Sequence, residues 1–305
     1  MTGFTAADVP AQEGKTIIVT GANTGIGFEI ASVLASRGAR VVLACRNKAK
    51  AEAAMARIGA AVTGADLAFL PLDQADLASV RAAAELAGKE QRVDLLINNA
   101  GVMIPPLSRT AQGFEQQFGV NHLGTFALTG LLLPKLAETL GSRVVVTSSI
   151  AHRQGKIRFD NLDAARGYNR MAFYAQSKLA NLMFAIELDR RLRAAGSPVI
   201  AVGCHPGVAA SELSRHIPFA GMFAPLIGLV LNSPAQGAWP ALQAATNPAV
   251  QGGDYFGSQS LDEMRGPSGP AKRSRQALDP TIARRLWEVS VELTGIDPGL
   301  PRARD

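Results

Sequence analysis

Thr20-Gly21-Ala22-Asn23-Thr24-Gly25-Ile26-Gly27 is the stretch on which the reading of this chain turns. It closes the β-branched run from Lys15 to Thr20 and leads into a helical pattern that continues through Ser36, with Gly38 as its stop. Strand, glycine turn and helix together form a phosphate cradle. Glycines at 21, 25 and 27 let the backbone turn tightly and approach a pyrophosphate, while the helix start offers free amides and a partial positive charge. Asn23, Thr24 and Ile26 fill the same turn. A tight turn without a ligand is the alternative, and the GxxxGxG spacing at the first strand-to-helix junction favours a dinucleotide.

Outward from this turn, strand and helix alternate. The second strand, Arg40 to Cys45, runs into Arg46, Asn47 and Lys48. An acidic side chain here would accept hydrogen bonds from the adenine ribose of NAD, whereas Arg46 suits the 2′-phosphate of NADP. NADP(H) is therefore expected ahead of NAD(H). Leu67 to Leu72 forms a third strand and delivers Asp73 toward the adenine; a helix from about Asp76 to Lys89 leads to the strand Val93 to Ile97. Asn98-Asn99-Ala100-Gly101 then makes a turn of small residues past which a cofactor can lie.

A helix holding Phe114, Phe118, Val120, Asn121, Leu123, Phe126 and Leu128 crosses the sheet. The Asn121 amide, buried among apolar neighbours, needs partners, either water or backbone near a catalytic group or a purely structural bond. The fifth strand, Arg143 to Thr147, ends in Ser148-Ser149, at the edge where such sheets bind ligands. A serine there can donate to a substrate oxygen, and Ser149 is the better placed. His152 is read as a loop residue, because no GxSxG elbow surrounds either serine.

A long helix from Met171 to Arg193 carries Tyr174-Ala-Gln-Ser-Lys178. The four-residue step puts phenol and ammonium on one face, about 6 Å apart along the axis. At roughly 5 Å and an effective dielectric near 20 the ammonium favours the phenolate by about 3 kcal/mol, which brings the tyrosine toward working pH as an acid or base.

The 305 residues, 47% hydrophobic and with 30 glycines, suit one α/β domain built on a doubly wound parallel sheet. The net charge of +6 is scattered until Lys272-Arg273-Ser274-Arg275, Arg284-Arg285, Arg302 and Arg304, and no aromatic platform accompanies it, so nucleic acid is not an expected partner. Cys45 and Cys204 each end an apolar run, as in a reduced cytoplasmic protein, and imply neither a disulfide nor a metal site. No signal peptide is visible, and no run reaches the roughly eighteen apolar residues of a membrane span, the nearest being Ile217 to Leu231, interrupted by Pro218 and Pro225.

In order, TGANTGIG at 20–27, NNAG at 98–101, Asn121 in GVNHLG, Ser149 in VTSSIAH and Tyr174 with Lys178 resemble the motifs of the short-chain dehydrogenase/reductase family, over roughly residues 14–257. ACRN at 44–47, AHRQGKI at 151–157 and YAQSKLAN at 174–181 are similar to its retinol dehydrogenase branch, which includes the WW-domain oxidoreductase-like proteins. The resemblance implies hydride transfer between a nicotinamide and a hydrophobic carbonyl or alcohol, which could be a ketone, an aldehyde, or a retinoid- or lipid-like molecule. By it Tyr174 is the proton donor, Ser149 its aid, Lys178 a ribose and tyrosine partner and Asn121 the support of a water path. Asn99, Ala100, Gly101 and the turn His205-Pro206-Gly207-Val208 through Ser211 would meet the nicotinamide end. Many animal members carry an N-terminal membrane anchor, and none is expected here.

Residues 209–232 mix Phe219, Met222, Phe223, Leu226 and Ile227 with repeated proline and glycine, which suits a mobile flap over the substrate; a dimer contact or a membrane-surface patch is the alternative. A last strand at Asp254 to Phe256 is followed by Gly266-Pro-Ser-Gly-Pro270 and a basic linker, a helix near Pro280 to Leu293 and a frayed end from Asp297. Two other readings compete: a non-catalytic NADP-binding regulatory module and a nucleotide-sugar epimerase-type enzyme. The chain could act as a monomer or a homo-oligomer.

Overall fold

The computed structural model describes residues 3–208 and 231–303. Its framework is an eight-stranded sheet in the order β3-β2-β1-β4-β5-β6-β7-β8. β1 (Thr16–Thr20) leads into α1 (Gly25–Ser36), β2 (Arg40–Cys45) into α2 (Lys48–Ala61) and β3 (Leu67–Pro71) into α3 (Leu77–Ala87). After β4 (Leu95–Asn98) come one turn of helix, α4 (Gln116–Phe118), a π-helical turn at Gly119–Leu123 and α5 (Gly124–Ala137). β5 (Arg143–Thr147) is followed by a 3-10 turn at Ile150–Gln154 and by α6 (Arg170–Ala194). The chain continues through β6 (Ile200–Cys204), α7 (Pro234–Thr246), β7 (Tyr255–Ser260), β8 (Arg265–Pro270) and α8 (Pro280–Thr294).

Helices cover both faces of the sheet, which is why its inner strands read as unbroken apolar runs. In β1, Ile17 and Val19 join one core with Ile30 and Leu34 of α1 and Leu242 of α7, while Ile18 joins the other with Phe126 of α5 and Phe184 of α6. Each such side chain contributes roughly 1.5–3 kcal/mol by leaving water. α8 closes the outer side of α5 and α6: Trp287 meets Phe126 edge-on at 5.2 Å, and the Arg191 guanidinium sits 4.3 Å from the Trp287 ring. Because β1 is flanked by β2 on one side and β4 on the other, the connections diverge there and leave a crevice at the carboxyl ends of the strands.

Several expectations need correction. The strand at Asp254 to Phe256 is not the last: Gly266–Pro270 belongs to β8, antiparallel to β7 with Gly257 opposite Gly269. An edge strand tolerates its prolines, and Phe4 pairs with its outer side through a 2.9 Å bond to the Ser268 carbonyl. The crossing helix begins only at Gln116, with Phe114 in the preceding loop. The end of the chain is not frayed through Ala303: Ile296 and Ala303 are buried, Pro298 lies against Gly130, and Arg302 pairs with Glu288 at 2.7 Å. α2 and α7 had no counterpart in the sequence reading. The expected flap at 209–232 lies outside the described residues except for Leu231 and Asn232, as do Ser211 and Arg304. Among the described residues no helix is long and apolar enough to cross a membrane.

Candidate active site

The glycine turn has the geometry its sequence requires. Gly21 and Gly25 have φ of +68° and +56°, a region that L-residues with a Cβ rarely enter. At Gly27 a Cβ would collide with the Gly21 carbonyl and stand 2.6 Å from Asn99 Nδ2, so a bare residue is needed for α1 to sit this close. Thr24 makes no side-chain cap at the start of α1, which leaves the first amides of that helix to face the cleft.

This turn is tied to the one after β4. Thr20 Oγ1 accepts the Asn99 and Ala100 N–H groups at 3.0 and 2.9 Å, and Asn99 Nδ2 donates to the Thr20 carbonyl at 3.0 Å. Between the two turns runs a cleft of about 400 Å³ lined by Gly21, Asn23, Thr24, Gly25, Ile26 and Gly27, by Arg46 and Asp73, and by Asn99, Ala100 and Gly101. Arg46 is 73% exposed and 3.6 Å from Asp73, a pair too wet to add much stability, so its charge stays available at the rim. Asp73 also accepts the Ala75 N–H at 2.9 Å. Asn47 does not line the cleft; its Oδ1 caps α2 through Lys50 N at 2.9 Å. Cys45 lines it, but burial pushes its thiol up to about 11, which makes it no thiolate nucleophile.

The cleft shares Ile26, Asn99, Gly101 and Val102 with a smaller cavity of about 50 Å³ lined also by Met103, Thr147, Ser148, Tyr174, Lys178 and Pro206. α6 places the tyrosine and lysine there. Asn169 caps its start at 2.9 Å, and no proline or glycine interrupts its 25 residues. Tyr174 and Lys178 are each 5% exposed, and Lys178 Nζ is 5.8 Å from the phenol centroid and 3.4 Å from the Thr147 carbonyl at the end of β5.

Asn121 is fully buried in the π-helical turn, whose extra residue swings the amide away from the helix axis toward the loop after β4. It accepts Val102 N–H at 2.7 Å and donates to Val102 O and Ser177 Oγ, both at 2.9 Å. Its partners are thus backbone beside the lysine: a Cβ on Gly101 would lie 3.1 Å from Asn121 Oδ1 and 3.2 Å from Lys178 Nζ.

Ser148 borders the small cavity, yet its hydroxyl is committed to the Lys178 carbonyl at 2.7 Å. Ser149, one residue on, is not among the residues lining that cavity; among the described residues its hydroxyl oxygen accepts the Ala151 N–H at 3.2 Å. His152 is no loose loop residue. It is fully buried, hydrogen-bonded to Ser149 O at 2.7 Å and approached by Ser274 N at 3.3 Å, and burial lowers its pKa to about 4. Pro206, Gly207 and Val208 form the turn after β6, with Gly207 at φ +72° and Val208 N bonded to Met264 O at 2.8 Å. Thr20, Val102 and Met103 are the participants that the sequence reading passed over. Nothing in their own pattern marks them, although Thr20 lies inside the glycine motif.

The donors and the bare glycine backbone fit a dinucleotide with its phosphates at α1 and its reactive end near Tyr174. Comparison with known proteins agrees with this geometry. The chain matches the short chain dehydrogenase family over residues 15–218. It is 44% identical over 286 residues to Retinol dehydrogenase 11 of Homo sapiens, covering 93% of this chain and 86% of that one. With Retinol dehydrogenase 13 of Homo sapiens the identity is 45% over 294 residues, covering 93% and 86%. Among solved structures, an uncharacterized protein from Mycobacterium Paratuberculosis aligns with a TM-score of 0.81 at 41% identity, over 97% of this chain and 99% of that one. An NADP active-site complex of RhlG from Pseudomonas aeruginosa aligns with a TM-score of 0.63 at 26% identity, over 80% and 94%.

Proposed function

The chain belongs to the short chain dehydrogenase family, and on that premise we propose that this oxidoreductase uses NADP(H) to interconvert a hydrophobic carbonyl compound and its alcohol. The observation that carries the reading is the buried Tyr174–Lys178 pair, with Nζ 5.8 Å from the phenol ring, at the inner end of the glycine cleft.

When bound, the nicotinamide supplies the hydride for reduction or accepts it for oxidation. In the reducing direction the Tyr174 hydroxyl gives its proton to the carbonyl oxygen, and Ser149 steadies that oxygen by a hydrogen bond as charge develops. Lys178 favours the phenolate left behind and would hold the ribose next to the nicotinamide. Asn121, by fixing Val102, holds the wall past which a replacement proton travels to Lys178. Arg46 supports the preference for the 2′-phosphate. The retinol dehydrogenase relatives make long-chain polyene alcohols and aldehydes the first compounds to try.

Replacing Tyr174 by Phe tests the scheme. Turnover of a carbonyl panel with NADPH should fall roughly 10²–10⁴-fold, while NADPH affinity by fluorescence stays within about threefold. Retained turnover discards the mechanism.

A further inference from the structure

We propose that Glu263 is a positioning residue for the reaction end of the site, fixing the Ser149 turn and the turn after β6 relative to one another; this rests on the oxidoreductase reading above. The tip of the β7–β8 hairpin is the starting observation. Leu261, Asp262 and Glu263 have φ of +49°, +50° and +68°, three successive non-glycine residues in the left-handed region. Such a run is sterically disfavoured and persists only where its surroundings determine it.

The surroundings here are two segments next to residues that line the small cavity, the one after Ser148 and the one around Pro206. Glu263 Oε2 accepts His205 Nε2–H at 3.0 Å and lies 2.6 Å from Arg153 Nη2, while Oε1 accepts Lys272 N–H at 2.9 Å. His205, fully buried at the end of β6, accepts Gly207 N–H at Nδ1 at 3.1 Å, so the ring is neutral with its proton on Nε2. Burial favours that neutral form. β7 makes room for the ring only because residue 257 is glycine, where a Cβ would collide with it.

The same hairpin holds the turn at further points: Met264 O accepts Val208 N–H, and Gly266 N–H reaches Asn232 Oδ1 at 3.1 Å, whose amide donates to Pro206 O at 2.8 Å. On the other segment, Arg153 follows Ser149 by four residues, in the 3-10 turn that Ser149 caps. A half-exposed surface pair would add little, but a carboxylate buried between an imidazole and a guanidinium is stable only while both remain in place. One carboxylate therefore couples Pro206, which lines the cavity beside Tyr174, to the turn that presents Ser149.

Glu263→Gln preserves shape and removes the charge. In the cofactor-free protein, amide exchange at residues 205, 207 and 208 should quicken at least tenfold, and in the working enzyme kcat should fall at least tenfold, while NADPH affinity, set at the glycine cradle, stays within about threefold. Unchanged exchange or unchanged kcat overturns the proposal. So does a loss of kcat matched by equal losses of NADPH affinity and thermal midpoint, since that is general loosening. Should Glu263→Gln not fold, Arg153→Gln is read by the same criteria. An unmodified chain without carbonyl turnover, or a Tyr174→Phe variant that keeps it, overturns the oxidoreductase reading and this inference with it; failure of the Glu263 criteria alone leaves that reading standing.

Discussion

The two ends of the crevice are built by different means. At the phosphate end, the glycine turn and the turn after β4 meet through backbone groups, one hydroxyl, Thr20 Oγ1, and one side-chain amide, Asn99 Nδ2, at positions where a bare Cα is the main requirement. At the reaction end, segments around 121, 149, 178, 205 and 263 converge through buried polar side chains: Asn121 on Val102, His152 on Ser149 and Glu263 on His205 and Arg153. The first end depends on backbone shape. The second depends on satisfied partners, since a buried donor or acceptor left alone loses its water without replacement.

That contrast can be broken most directly at the cradle. Gly27→Val should raise the NADPH dissociation constant about 100-fold, because overpacking against backbone has no side chain to yield; a titration showing less than about threefold would remove the claim that shape governs this end. Asn121→Ala leaves both Val102 backbone groups without their amide partner and should lower unfolding free energy by about 2 kcal/mol in urea melts, with the loop after β4 loosened first. If stability holds, the reaction end does not depend on its partners as argued. Arg46→Ala should reduce the preference for NADPH over NADH about tenfold, an effect that shrinks as salt is raised; unchanged selectivity would move the 2′-phosphate contact elsewhere.

A further effect is on acid stability. Burial depresses His152 to about 4 and His122 to about 3, so the unfolded chain takes up these protons first as pH falls. Their contribution is complete above about pH 6.5, the ordinary histidine value, and is lost as pH falls toward 4 and then 3, by at most about 1.4 kcal/mol per pH unit for each ring. Replacing His152 by Gln should flatten the upper part of that slope in pH-dependent melts, and an unaltered slope would place the acid sensitivity elsewhere.

The same contrast explains what was legible in the sequence. β2 and β5 fall where their apolar runs begin and end, and the glycine turn, NNAG turn and YxxxK pair sit at their expected places, because each is a local pattern. β8 was hidden because Gly266-Pro267-Ser268-Gly269-Pro270 has no strand propensity of its own; pairing with β7 and Phe4 makes it a strand. The π-helical turn under Asn121 and the partners of His152 and Glu263 depend on contacts across long stretches of chain, which periodicity does not report. His152 looked like a bystander for that reason, and the end of the chain looked loose because one of its anchors, Gly130, lies far back in the sequence and the other, Glu288, sits on a helix it must fold back upon.

The Thr20 hydroxyl has a consequence for traffic. By bonding the end of β1 to the loop after β4, it resists opening along that seam. A dinucleotide is then expected to enter and leave over the rim, and a covalent tether across the seam should leave its exchange rate where it was.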